Sequence, residues 1–191
     1  MRHTLFAATL LLASTGAAGQ EPLDGNPEMA AIFAADQAIR NGGPADMQKL
    51  VSEDAVRRRR TRELLEQGAL TTGPDFYAAA FVFQHGSMPD DFLLAHVLAV
   101  RALGLGMKQA EWIAAATLDR YLQNTGKSQI YGTQFSLPRG ASAATMEPYD
   151  KELLTDGLRQ AAGAHTLAEQ EAKLPEMEAM MKSRVSPPSN P

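Results

Sequence analysis

The sequence predicts an all-α fold, an irregular bundle of six to eight helices with one long ordered loop. Apolar residues recur at the three- and four-residue spacing of a helix face through most of the chain, and no stretch shows the alternation of a half-buried strand. Residues typical of helix starts and helix ends also separate successive segments of helical length. The chain therefore divides into helices whose ends are readable from the sequence.

The first 19 residues have the layout of a secretory signal peptide. Arg2 precedes an apolar run from Leu5 to Ala13, and small residues follow as far as Gly19. This run is shorter than the ~20 apolar residues that a membrane-spanning helix requires. We therefore expect cleavage before Gln20 and a periplasmic or secreted protein without a membrane span.

Removal of the predicted signal peptide leaves 191 − 19 = 172 residues, with 17 basic and 22 acidic side chains and a net charge of −5. This length suits one domain with a substantial core, so we expect a single helical domain over residues 20–185 and a disordered tail over residues 186–191. An acidic chain is a poor nucleic-acid binder, so no nucleic acid is expected as a partner. The absence of cysteine excludes disulfides, thiol catalysis and thiolate metal sites.

The first two helices are predicted in the N-terminal third. Asn26 can cap a helix that has Pro27 at its first position, and the residues Asn-Gly-Gly at 41–43 end it. Pro44 then opens a second helix that runs to about Gln67. Residues 57–60 of this helix are four arginines, which spread around the axis near several glutamates. They predict a solvated face on which only Arg58 points inward.

Three more helices follow at short intervals. The residues Gly-Pro-Asp at 73–75 open a third helix that reaches His85, and residues 87–90 cap a fourth that closes at Gly104. A fifth helix is predicted over residues 108–123. Glycine ends each of these segments, as it ends many helices.

The C-terminal third begins with a segment that lacks helical periodicity. Residues 127–149 contain Pro138, Gly140 and Pro148 and predict an ordered loop with at most one short extended piece. A helical pattern resumes over residues 150–162. Residues 166–169, Thr-Leu-Ala-Glu, then form a capping box that opens another helix, which the proline at 175 interrupts or restarts.

Two pairs of charged residues lie on apolar stripes of the first two helices. The spacing M-x-x-h-h-x-x-D-x-x-x-R, where h is apolar, places Asp36 with Arg40 and Asp54 with Arg58. An aspartate and an arginine four residues apart can meet on one helix. The pairs are either ion pairs at the rim of the core or the charged floor of a pocket, and both interpretations make the four residues sensitive to substitution.

His85 ends the third helix, where the helix dipole would favour an imidazolium. A lone inward histidine can be a hydrogen-bonded core residue or a catalytic group, and the same choice applies to His96 on the fourth helix. Neither histidine belongs to an HExxH motif or to another ligand spacing. We therefore predict no metal site and no cofactor.

Three short motifs resemble, in their order and separation, a bacterial domain family of unknown function. They are FVFQHG at 81–86, LDRYL at 118–122 and QIYGTQF at 129–135. The resemblance covers about residues 30–140 of this chain. The family it points to looks like a helical domain with a Gln-His pair, an Asp-Arg pair and a closing Gln-x-Tyr-Gly-Thr-Gln. The resemblance implies a helical fold and a site where the motifs meet, and it supplies no reaction.

The polar residues of the third motif need partners if they are buried, because each unsatisfied group costs about 1 to 3 kcal/mol. In an extended segment, Gln129, Tyr131 and Thr133 would form one polar row on one face. We expect this row to lie against Asp119, Arg120 and His85 of the other two motifs. On the opposite face, Gly132 would allow the backbone to approach a helix or a ligand closely.

These residues leave three functional hypotheses. The leading one is an exported binding module with a polar, charge-lined pocket for an unknown small molecule or peptide segment. The second is a hydrolase of an envelope or extracellular substrate, in which His85 is the general acid or base and Asp119 orients it. The third is a structural interaction domain. The predicted ligand-binding residues are Asp36, Arg40, Asp54, Arg58, Gln84, Arg120, Gln129, Tyr131, Thr133 and Gln134.

Overall fold

The structure is a computed structural model that describes residues 25–41 and 47–185. Over these residues it has eight α-helices, a 3-10 turn at Lys108–Ala110 and no β-strand, which confirms the all-α prediction. The predicted signal peptide, the start of the second helix at Pro44 and the predicted tail lie outside the described residues. The helices are α1 Pro27–Asn41, α2 Met47–Glu66, α3 Gly73–Phe83, α4 Pro89–Gly104, α5 Glu111–Asn124, α6 Asp156–Ala161, α7 Leu167–Ala172 and α8 Leu174–Val185.

Local caps start α1 and α3 where the sequence predicts them. Asn26 Oδ1 accepts hydrogen bonds from the N–H groups of Glu28 and Met29 at the start of α1. Thr72 and Asp75 form a capping box at α3, and Asp75 also accepts from the N–H of Asn26 at 2.6 Å. Asp75 therefore holds the start of α1 against the start of α3.

The main core lies around α3 and α4. α4 packs against both α3 and α5, while α1 packs against α2 and α3. Alanines on α3 and α4, including Ala79 and Ala99, are completely buried and allow the helices to approach closely. Phe83 of α3 and Ile113 of α5 are among the largest completely buried side chains of this core. His96 is half-buried beside this core, and its Nδ1 lies 2.9 Å from the carbonyl oxygen of Ala114.

The helix predicted over residues 150–162 is wrong at its start, because α6 begins at Asp156. Asp150 Oδ1 accepts from the N–H of Leu153 at 3.1 Å, which stabilises a turn, and Thr155 then caps α6. Short polar side chains compete in this way with helix formation. The capping box at Thr166 is present, and a new helix starts next to Pro175.

The predicted ordered loop joins the helical core to a second, smaller core. Ser136 and Thr145 exchange two main-chain hydrogen bonds of 2.8 Å within it, and Asp150 N–H donates to the carbonyl oxygen of Gln129 at 2.9 Å. The second core contains Phe135, Met146 and Tyr149 from the loop, and Met177 and Met181 from α8. The C-terminal helices are thereby fastened to the segment that follows α5.

Candidate functional site

The segment of residues 129–134, which we call the clasp, is folded around one buried carboxylate of α5. Asp119 Oδ1 accepts hydrogen bonds from the N–H groups of Ile130 and Tyr131 at 2.8 and 3.0 Å. Its Oδ2 accepts from the N–H and the hydroxyl of Thr133 at 3.0 and 2.8 Å. Burial raises the pKa of Asp119, although these four hydrogen bonds oppose the rise. The carboxylate is therefore the centre on which the clasp is ordered.

The main chain of the clasp turns at Gly132, so the segment is not extended as the expected row of polar residues would require. Gly132 has φ +75, a conformation that side chains with a Cβ rarely adopt. The turn directs the N–H groups of residues on both sides of Gly132 to the same carboxylate. The predicted alternation of two faces is therefore wrong, whereas the expected close approach of the backbone is present, since a Cβ at Gly132 would lie 2.7 Å from the Tyr149 hydroxyl.

Arg120 connects the clasp to the end of α3. Its Nε donates to Gln134 Oε1 at 3.1 Å, and its Nη1 donates to the carbonyl oxygen of Gln84 at 2.7 Å. The amide nitrogen of Gln134 donates to Thr133 Oγ1 at 3.0 Å and to a carbonyl of α5. The predicted contact of Tyr131 and Thr133 with Asp119 is thus present. Arg120 instead binds Gln134, which was expected on the opposite face, and no hydrogen bond among the described residues joins the clasp to His85.

A separate network of buried charges joins α1 to α2. Arg40 donates to Asp36 Oδ1 at 2.8 Å and to both carboxylate oxygens of Asp54 at 2.8 Å. Arg57 donates to Asp54 Oδ1 at 2.7 Å, and its Nε lies 3.6 Å from Asp36 Oδ1. The predicted pair of Asp36 with Arg40 is therefore formed, within a larger set of ion pairs.

The predicted pair of Asp54 with Arg58 is wrong. Asp54 binds Arg40 and Arg57 instead, and Arg58 Nη1 donates to the carbonyl oxygen of His85 at 2.7 Å. The buried face of α2 runs through Asp54 and Arg57, while Val51 is 61% exposed, so the apolar stripe predicted through Val51 lies off the buried face. Arg57, and not only Arg58, therefore points inward.

His85 faces Asp36 and not Asp119. Its Nε2 lies 3.6 Å from Asp36 Oδ2, beyond hydrogen-bonding distance, and has no hydrogen-bond partner among the described residues. Burial, together with the charges of Arg40, Arg120 and the neighbouring arginines of α2, holds the pKa of His85 well below 6.5. The neutral imidazole is therefore favoured, because desolvation and the like charges of the arginines outweigh the effect of the helix dipole.

The outer side of the clasp forms one wall of a cavity of about 130 Å³. The opposite wall comes from the C-terminal third, for which the sequence predicts no site residues. Lys173 Nζ, at the junction of α7 and α8, lies 2.6 Å from His165 Nε2. Thr133 is the predicted site residue that lines the cavity, and the full lining is Trp112, Gly132, Thr133, Phe135, Ala164, His165, Gln170, Lys173, Glu176, Met177 and Met180.

The sequence carries a weak signal for this wall. His165, Lys173 and Glu176 are polar residues near the start of α7 and α8, and the methionines 177 and 180 are three residues apart. Such spacing is typical of any amphipathic helix. Only the fold of the clasp brings these residues opposite Trp112, so the sequence alone could not indicate them.

Comparison of the chain with family models, with curated proteins and with solved structures found no match. The resemblance of the three motifs to a bacterial domain family therefore stays a hypothesis. Among the described residues, no helix combines the length and the hydrophobicity that a bilayer span requires.

Proposed function

We propose that the protein is an exported binding module that holds a small molecule, or one side chain of a peptide, in the cavity between the clasp and the C-terminal helices. The observation that carries the proposal is the composition of this cavity. Trp112, Phe135 and Met177 supply apolar walls, and a few polar groups lie at defined positions among them. Ligand sites in proteins commonly combine apolar walls with a few oriented polar groups.

The clasp supports the proposal because it gives the cavity a wall that is already ordered. Four hydrogen bonds to Asp119 fix the main chain on both sides of Gly132. Gln170 Nε2 also donates to the carbonyl oxygens of Tyr131 and His165, at 2.5 and 2.9 Å, and joins the clasp to the opposite wall. A preformed wall lowers the entropic cost of binding.

The size of the cavity limits the ligand. A volume of about 130 Å³ is below the roughly 300 to 1,000 Å³ of sites for drug-sized molecules. The site therefore suits a molecule of amino-acid size or a single side chain of a longer ligand. Larger ligands would need most of their surface outside the cavity.

The hydrolase hypothesis has less support. The carboxylate nearest to His85 belongs to Asp36, at 3.6 Å, and both oxygens of Asp119 accept hydrogen bonds from the clasp. A general base must lie within reach of the proton that it removes. His85 instead faces Asp36, and Asp119 is bonded to the clasp, so the two do not form a hydrogen-bonded pair.

Trp112 is the single tryptophan of the chain and provides a direct test. A panel of compounds of amino-acid size can be screened by ligand-observed NMR and by the emission of Trp112. We expect binders to change this emission and to lose binding in Ala164→Leu, which fills the cavity. Ala161→Leu, at an exposed position of α6, is the matched control and keeps binding. Binders that leave the emission unchanged and bind Ala164→Leu normally would contradict the proposed site.

Export is tested separately. The layout of residues 1–19 supports cleavage before Gln20. Sequencing of the protein recovered from the periplasm or the medium of its host is expected to find Gln20 at the N-terminus. Recovery of the intact chain from the cytoplasm would contradict export and would leave the cavity proposal unaffected.

A further inference from the structure

Two opposite charges line the cavity without pairing with each other. Lys173 lies at the junction of α7 and α8, and Glu176 lies in the first turn of α8. Side chains three residues apart on a helix can form an ion pair. The side chain of Glu176 is exposed and forms neither a hydrogen bond nor an ion pair with the described residues, so its carboxylate is available to a ligand.

Lys173 has His165 as its hydrogen-bonding neighbour. Its Nζ lies 2.6 Å from His165 Nε2, and His165 Nδ1 lies 3.8 Å from a carboxylate oxygen of Glu169. An ammonium group has three donors. If one is given to the imidazole, two remain for an acceptor in the cavity, and an anionic acceptor such as a carboxylate forms a strong charge-assisted hydrogen bond with a lysine.

Most of the remaining lining is apolar, and its polar members are Thr133 and Gln170. Trp112, Phe135, Met177 and Met180 surround the same space, and methionine side chains adapt to differently shaped apolar groups. The cavity therefore offers a cation, an anion and an apolar wall within a volume of about 130 Å³. A ligand that satisfies all three must carry both charges and an apolar group on few atoms.

We propose that the ligand is a free apolar α-amino acid, with its carboxylate on Lys173, its ammonium on Glu176 and its side chain against Trp112 and the two methionines. This inference rests on the proposed function and adds the chemical class of the ligand. A simple carboxylic acid would use Lys173 and leave Glu176 without a partner. A simple amine would bind Glu176 and would place no carboxylate on Lys173.

The test compares amino acids with derivatives that lack one charge. The full chain is titrated with L-valine, L-leucine, L-methionine and L-phenylalanine, followed by Trp112 emission and by calorimetry. The tightest binder is then compared with its N-acetyl derivative, which lacks the ammonium, and with its amide, which lacks the carboxylate. We expect each derivative to bind at least about fivefold more weakly, because each loses a charge-assisted hydrogen bond.

Two substitutions assign the charges to residues. In Glu176→Gln, the free amino acid and its N-acetyl derivative are expected to bind about equally. In Lys173→Met, the free amino acid and its amide are expected to bind about equally. Lys127→Met and Glu152→Gln, at exposed positions outside the cavity lining, are the matched controls and keep the full discrimination.

Several outcomes would overturn the inference, and they are distinguishable from failure of the proposed function. An N-acetyl derivative that binds as tightly as the free amino acid would overturn it and would identify a ligand with a free carboxylate alone. Failure of all four amino acids, while other small compounds bind at Trp112, would also overturn it and leave the binding site intact. Absence of any response at Trp112 across the panel would overturn both proposals.

Discussion

The side-chain amide of Gln129 pairs with the main chain of Gln134. Its Nε2 donates to the carbonyl oxygen of Gln134 at 2.9 Å, and its Oε1 accepts from the N–H of Gln134 at 2.9 Å. Gln129 is completely buried, and its Nε2 also donates to the carbonyl oxygen of Met146. The side chain thus closes the clasp as a neighbouring strand would, which explains why buried glutamines occur in this segment.

Replacement of Gln129 by alanine is expected to lower the free energy of unfolding by about 2 to 4 kcal/mol, because buried main-chain groups of Gln134 and Met146 lose their partner. Denaturant unfolding at constant m measures this change. Gln67→Ala, at an exposed position beyond α2, is the control and should change stability by less than about 0.5 kcal/mol. Equal midpoints for both variants would show that Gln129 does not fasten the clasp.

Gly132 and Gly126 separate two effects of adding a Cβ. Both have positive φ, +75 and +77, but only at Gly132 would a Cβ meet neighbours, among them Gln170 and the Tyr149 hydroxyl. Gly126→Ala is expected to cost about 1 to 2 kcal/mol from the backbone conformation alone. Gly132→Ala should cost clearly more, because buried partners must move as well. Thermal unfolding of the two variants measures the difference, and similar melting temperatures would contradict the packing around the clasp.

Arg58 and Arg59 are adjacent but differ in their surroundings. Arg58 donates to the carbonyl oxygen of His85 at 2.7 Å, whereas Arg59 is exposed. Arg58→Ala is expected to lower the free energy of unfolding by about 1 to 3 kcal/mol, since the end of α3 loses a charged donor. Arg59→Ala should have an effect below about 0.5 kcal/mol. If the urea midpoint falls more in Arg59→Ala than in Arg58→Ala, the assignment of Arg58 to the inward face of α2 and of Arg59 to the outward face is wrong.

Asp36 makes stability depend on pH in a particular direction. Burial raises its pKa to about 6, against the attraction of Arg40 and Arg57, from an ordinary value of 3.8. The folded chain therefore binds the proton more tightly than the unfolded chain, and this contribution to stability is lost as pH rises from about 4 to about 6. Relative to Asp36→Asn, the parent should lose roughly 2 to 4 kcal/mol over that range.

Urea unfolding of both proteins at pH 4, 5, 6 and 7 measures this difference. Asp90→Asn, at an exposed position of α4, is the control and should follow the parent at every pH. If the curves of the parent and Asp36→Asn stay parallel, the carboxyl of Asp36 does not titrate differently in the folded chain.

Helix ends were predictable because their causes are local. Asn26 and Thr166 cap the helices that follow them through hydrogen bonds within three residues. The inward face of α2 was not predictable, since Arg57 turns inward to reach Asp36 and Asp54. Which face of α2 is buried depends on where α1 packs. The apolar spacing that includes Val51 does not show where α1 packs.

The site was predictable only in part for the same reason. The sequence indicates that residues 129–134 meet Asp119 and Arg120, and they do. It does not indicate that Gly132 makes the segment a turn. Nor does it indicate the opposite wall of the cavity, which α7 and α8 supply from more than 30 residues further along the chain.

The carboxylate of Asp119 holds the clasp in the form that lines the cavity. Amide hydrogen exchange at Ile130, Tyr131 and Thr133, followed by NMR in the parent and in Asp119→Asn, tests this claim most directly. We predict slow exchange of the three amides in the parent and loss of this protection in the variant, while Ser136 and Thr145, which bond to each other, stay protected. Exchange of the three amides in the parent at the rate of an unstructured peptide would contradict the claim.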